Sequence, residues 1–219
     1  MNMNDAQELF DKAVDLAKSG KHAEAVSCYE SSLRLEPNYA PAWFNMAHSI
    51  GLLGRHQDVV ICCERALKIH PAFNSLWILK GLGFLSMEQF HEAMACFQES
   101  EKLGDTSAGG HMARCRLAQA EWYFRLGSRY QQEGNHTQAN ACYEKGLALD
   151  PSKTVIWVNK GAALLALKRA SEAVACFDRA ILLDPRDSSA WNNKSIALMS
   201  LGQHSDALAC IKEAKRLRV

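Results

Sequence analysis

Residues 154–187 read TVIWVNKGAALLALKRASEAVACFDRAILLDPRD, and this stretch decides the fold. Its first half sets Trp157, Gly161 and Leu164 at i, i+4 and i+7, a large-small-large ridge on one side of a helix. Its second half sets Ala173, Phe177 and Ala180 at the same spacing. Small residues there let two helices approach while the aromatic ring fills the gap. Pro185 ends the second helix, because it cannot donate the next backbone hydrogen bond.

The same unit recurs outward from this stretch, starting at Ala6, Ala40, Asn74, Ala120 and Ser188. Trp43, Trp77, Tyr123 and Trp191 take the place of Trp157, with Leu9 in the first copy. Ala13, Ala47, Gly81, Gly127 and Ser195 take the place of Gly161, and Tyr29, Cys63, Phe97, Tyr143 and Ile211 that of Phe177. Gly20, Gly54, Gly134 and Gly202 fall between the two helices, where a left-handed helix terminus is expected. One cysteine marks each copy: Cys28, Cys62 and Cys96 are 34 residues apart, as are Cys142, Cys176 and Cys210. The step from Cys96 to Cys142 is 46 residues, which places an insertion between the third and fourth copies. Pro37, Pro71 and Pro151 keep the same beat as Pro185, with Asp105 and Val219 in the two remaining places.

These residues resemble the tetratricopeptide repeat, whose W-x2-L-G-x2-Y, A-x3-F and P signature they follow. The resemblance covers residues 6–107 and 120–219. It departs where Lys12, Met46, Lys80, Lys160 and Lys194 replace a leucine, and where the third copy lacks its closing proline. It implies an all-α chain: a right-handed α-α superhelix, or solenoid, of six helix-turn-helix repeats. The expected organisation is 1–107 for repeats 1–3, 108–119 for an inserted loop and helix extension, and 120–219 for repeats 4–6.

The formal net charge of +1 favours neither nucleic acid nor an anionic membrane as a partner. The start, Met1 to Asp5, has no basic residue leading into an apolar run, and no stretch reaches 18 apolar residues, so neither a secretory leader nor a membrane span is expected. A cytoplasmic protein follows. Same-place cysteines on neighbouring repeats sit at helix-packing distance, roughly 8–10 Å, beyond the about 7 Å that a disulfide tolerates. They read as small buried hydrophobes. Only Cys115 stands off their spacing, and it is the thiol to test for reactivity.

His22, His56, His136 and His204 share one repeat position, which makes them part of the building block. His48 and His111 are the histidines most open to function, but neither has a second ligand at H-x3-H or C-x2-C spacing. No nucleophile motif, phosphate-cradling glycine loop or acid pair stands out, and the repeats leave no room for a catalytic domain. No enzyme activity, cofactor or metal is expected.

Function is therefore expected on the face that the first helices share, which in tetratricopeptide proteins lines the concave groove. Its candidate residues are Phe10, Phe44, His48, Ile78, Leu82, Phe124, Ser128 and Ala162. Apolar residues on an open face mark a partner site, and packing against adjacent repeats is the alternative role. Beside them runs a row at the sixth place: Asn45, Asn159 and Asn193, joined by Asp11 and Arg125 and interrupted by Leu79. Primary amides can donate to and accept from a peptide backbone, and the row is similar to the asparagine ladder of O-linked N-acetylglucosamine transferases. The carboxylate clamp of chaperone-binding tetratricopeptide domains is not expected. Asn45 and Asn159 match it, but Phe10, Val14, Ser75, Leu79, Phe124, Ser128, Ser189 and Asn193 supply none of its cations.

Gly109 and Gly110 predict a short loop before an elongated first helix of the fourth repeat, along which Arg114, Arg125 and Arg129 lie near one stripe. At the other end no polar helix follows the sixth repeat. Leu208 and Ile211 are expected to be partly exposed there, which allows a homodimer through that repeat. The leading reading is a non-enzymatic scaffold or adaptor that binds a peptide or helix from a protein partner. The alternatives are a regulatory or substrate-recruiting component of a larger enzyme system such as a glycosyltransferase, and a structural self-assembly element.

Overall fold

In a computed structural model, which describes residues 3–217, the described chain forms twelve α-helices and no strand. Met1, Asn2, Arg218 and Val219 lie outside the described residues. The helices alternate as first and second members of six pairs: α1 (Met3–Lys18) with α2 (His22–Leu35), α3 (Ala40–Leu52) with α4 (His56–Ile69), and α5 (Asn74–Ser86) with α6 (Phe90–Lys102). They continue with α7 (Ala108–Gln132) and α8 (His136–Leu149), α9 (Thr154–Ala166) and α10 (Ala170–Leu183), and α11 (Ser188–Ser200) and α12 (His204–Arg216). The chain divides into two compact units, the first ending at Cys115 and the second beginning at Arg116, both within α7. In the first unit α1 lies against α3 and α3 against α5; in the second, α9 lies against α11.

Three devices explain the repeat signature. The pair of small and aromatic residues makes each hairpin: a Cβ on Gly81 or Gly161 would stand 2.5 Å from the ring of Phe97 or Phe177, and on Gly127 2.7 Å from that of Tyr143. The tryptophan and proline form a second device, since Trp43, Trp77, Trp157 and Trp191 donate their indole N–H to the carbonyls of Pro37, Pro71, Pro151 and Pro185 at 2.7, 3.0, 2.9 and 3.0 Å. The left-handed turn is the third, with φ of 79°, 73°, 77° and 75° at Gly20, Gly54, Gly134 and Gly202. Glu88 and Lys168 hold the same conformation in the third and fifth repeats, at φ 59° and 60°.

Three of the four lysines that replace leucine join successive repeats. Lys80 pairs with Glu64 at 3.0 Å, Lys160 with Glu144 at 3.2 Å and Lys194 with Asp178 at 2.6 Å, each time the seventh residue of one repeat with the twenty-fifth of the repeat before. Each ammonium also lies 5.5–5.9 Å from the ring centroid of its own repeat's tryptophan, Trp77, Trp157 or Trp191. The stems are largely buried and the acids about half exposed, so each ion pair contributes about 0.2–1 kcal/mol, with a cation–π contribution of about 0.5–1 kcal/mol.

The insertion departs from expectation. The loop predicted within 108–119 is absent, because α7 is already helical at Ala108 and passes through both glycines. Asp105 accepts from the backbone N–H and hydroxyl of Ser107 at 2.8 and 2.7 Å and so shapes the entry to the helix; those bonds hold its carboxyl below the usual range. Ala108, Met112 and Cys115 then bury one stripe, and His111 stacks on Phe97 with centroids 5.4 Å apart. Burial of that stripe outweighs the roughly 1 kcal/mol that each helical glycine costs relative to alanine. Cys115, the thiol singled out for a test of reactivity, is fully buried and its S–H points to the Phe90 carbonyl at 3.5 Å.

Candidate peptide-binding face

The candidate residues sit on the first helices. In the first unit, Phe10 on α1 is held by Tyr29 and Tyr39, with centroids 5.9 and 5.0 Å away, so it stabilises the helix pair. Phe44 on α3 lies 6.0 Å from Phe73 and stacks with His48 at 6.5 Å. Asn45, Ile78 and Leu82 are partly exposed, and His48 is open to solvent. Between α3 and α5 lies a pocket of about 180 Å³, lined by His48, Gly51, Leu79, Leu82 and Ser86 with His56 at its side. Of the predicted residues it gathers His48 and Leu82. Leu79, read in the sequence as a break in the asparagine row, is part of its apolar wall.

In the second unit, Phe124 on α7 packs 6.3 Å from Tyr143, whose hydroxyl donates to Gln131 at 2.9 Å and lies 3.4 Å from Ser128 Oγ. Phe124 and Ser128 are thus tied to α8. Arg125 is exposed, while Asn159, Ala162 and Asn193 are partly exposed on α9 and α11. Asn159 donates one amide hydrogen to the Val155 carbonyl at 2.8 Å, which leaves its oxygen and second hydrogen for other partners. The place that Leu79 holds on α5 is an amide on α9 and α11, while the place of Leu82 stays apolar, Ala162 and the exposed Ile196.

Thiol chemistry finds little support. Burial pushes the Cys62 thiol up to about 12 and the Cys96 thiol up to about 11, and raises Cys63 further. Cys142, Cys176 and Cys210 are raised for the same reason. A neutral, buried thiol is a poor nucleophile. Among the described residues no group of three or more His, Cys, Asp or Glu side chains is arranged to hold a metal ion, and no helix is long and apolar enough to cross a membrane.

Two tetratricopeptide-repeat models match the sequence, one over residues 130–195 and the other over 16–39 and 188–218. The chain belongs to the tetratricopeptide-repeat family. No curated protein matches the tetratricopeptide chain significantly. Among solved structures, the tetratricopeptide domain of P58(IPK) superposes with a TM-score of 0.51 at 15% identity, over 97% of this chain and 60% of that one. The TPR2AB domain of yeast Sti1, solved as a pHSP90 complex, gives 0.48 at 17% identity over 97% and 90%. The second tetratricopeptide domain of Spaghetti (RPAP3), bound to the HSP90 peptide SRMEEVD, gives 0.47 at 27% identity over 48% and 96%.

Proposed function

We propose that the protein is a non-enzymatic adaptor whose first unit binds an extended peptide or amphipathic helix by seating one large apolar side chain between α3 and α5. The pocket walled by Leu79 and Leu82 carries this reading, because a concave apolar site with a few polar groups at its edge suits an anchor residue. His48 and Asn45 supply polar contacts beside it. The amides of Asn159 and Asn193 on the second unit suit a peptide backbone, read without regard to its side chains. An acidic C-terminus of the HSP90 kind is a poor candidate, because Phe10, Val14, Ser75 and Leu79 bring no cation to meet it.

The test is a peptide-library selection on the full chain, followed by calorimetry on the selected peptides. Leu82→Asp is expected to weaken them at least tenfold. Ile61→Asp, on the exposed side of α4, is expected to leave them unchanged, and both variants should keep the wild-type far-ultraviolet circular dichroism. Selection of no peptide, or peptides bound equally by the Leu82→Asp variant, would show the reading to be wrong.

A further inference from the structure

The pocket between α3 and α5 is bordered by two helical places that carry no side chain, Gly51 and Gly83. Close packing requires the second of them: a Cβ on Gly83 would stand 3.1 Å from Val60 and 3.3 Å from the His56 carbonyl. It does not require the first. A Cβ on Gly51 would meet only Val59, at 3.6 Å, which is ordinary van der Waals contact. Elsewhere the same twelfth place of the repeat holds Ala17, Leu85, Gln131, Leu165 and Met199, and Leu165 packs on the core of Leu164, Phe177 and Ala197. Glycine is also a poor helix former. Neither packing nor helix propensity accounts for Gly51, so the space beside it is the feature to explain.

The size of that space and the rings beside it select an occupant. The pocket holds about 180 Å³, against about 150 Å³ for an apolar protein cavity that takes up one benzene. One six-membered ring matches it. A leucine side chain is also apolar, and stacking decides between the two. Phe44 and His48 lie one turn apart on α3, their planes 26° apart and their centroids separated by 6.5 Å. The next turn of α3 brings Gly51 and Leu52, which line the pocket together with His48. A ring laid over Gly51 therefore meets the exposed imidazole of His48 and extends the stack by one layer. The ninth place, where His48 stands, holds no ring in any other repeat: it is Val14, Leu82, Ser128, Ala162 or Ile196.

We infer that the anchor of the bound peptide is the ring of a phenylalanine, seated over Gly51 and stacked on His48, with Gly51 the residue that determines this specificity. The inference rests on the pocket being the anchor site of the adaptor and goes further by naming the side chain it takes.

Two small probes, N-acetylphenylalanine amide and N-acetylleucine amide, titrated separately into the full, methyl-labelled chain and followed by NMR test this. The phenylalanine probe is expected to shift the methyl signals of Val59, Leu79 and Leu82 and to saturate at a concentration at least fivefold lower than the leucine probe. Gly51→Leu installs what the third and fifth repeats carry in this place, and is expected to abolish those shifts while leaving the circular dichroism unchanged and the thermal midpoint at or above that of the wild type. Gly51→Ala is the milder variant and is expected to weaken the phenylalanine probe at least twofold. His48→Ala is expected to remove the preference for the ring over leucine. Equal binding of the two probes, binding of neither, indifference to both glycine substitutions, or a preference that survives His48→Ala overturns the inference. Library-selected peptides with aliphatic anchors, lost on Leu82→Asp, would overturn it and leave the adaptor standing. A saturating phenylalanine probe with no selected peptide would do the reverse.

Discussion

The inner walls of the two units share a scaffold and differ in chemistry. Between α3 and α5 the wall is Leu79, Leu82 and His48; the places of Leu79 and Leu82 hold Asn159 and Ala162 on α9, and Asn193 and Ile196 on α11. Beneath both walls the same contact recurs, a glycine facing a buried ring, Gly81 on Phe97 and Gly161 on Phe177. The difference teaches which repeat positions are fixed by stacking and which are free to vary.

If the cores are equivalent, damage to them should be equivalent. Phe97→Ala and Phe177→Ala each remove a fully buried ring and should each cost about 3–5 kcal/mol in urea unfolding followed by circular dichroism. A cost confined to one of the two would break the equivalence.

The buried thiols should make stability depend on pH. Cys62 and Cys96 in the first unit are pushed up to about 12 and about 11 by burial, while an unfolded thiol titrates near 8.5. A folded-state value above the unfolded one gives stability that is complete below pH about 8.5 and is lost as pH rises toward the folded value. The unfolding free energy from urea titrations should therefore fall between pH 9 and pH 11, by up to about 1.4 kcal/mol per pH unit for each such thiol, and Cys62→Ala should flatten the slope. A slope unchanged by Cys62→Ala would remove that residue from the account. The smallest effect belongs to the turns: Lys168→Gly relieves a left-handed residue at φ 60° and should stabilise by about 1 kcal/mol, read as a raised thermal midpoint.

Much of this organisation was legible in the sequence, because the stacking residues recur at one spacing. The turn glycines, the tryptophans, the small-aromatic pairs and the six hairpins all follow from it. Three features were less legible, each for a physical reason. Cys115 looked irregular against the other cysteines, yet it lies 34 residues after Gly81 and fills the same small-residue place of a helix that covers α6. Gly109 and Gly110 read as helix breakers, but burial of Ala108, Met112 and Cys115 keeps the segment helical. The packing of the partly buried Phe10 and Phe124 depends on Tyr29, Tyr39 and Tyr143, residues on other elements that a one-helix pattern does not contain. For the lysines in leucine's place the signal was present but distant, an acid 16 residues earlier in the preceding repeat.

The central claim is that the wall of the first unit holds an apolar anchor. Its most direct measurement is calorimetric titration of one library-selected peptide into the wild type, into a Leu79→Asn, Leu82→Ala double variant that copies the second wall, and into Asn159→Ala. The account predicts at least a tenfold loss for the double variant, about 1.4 kcal/mol, and a smaller loss for Asn159→Ala. Equal affinity for the wild type and the double variant would contradict it.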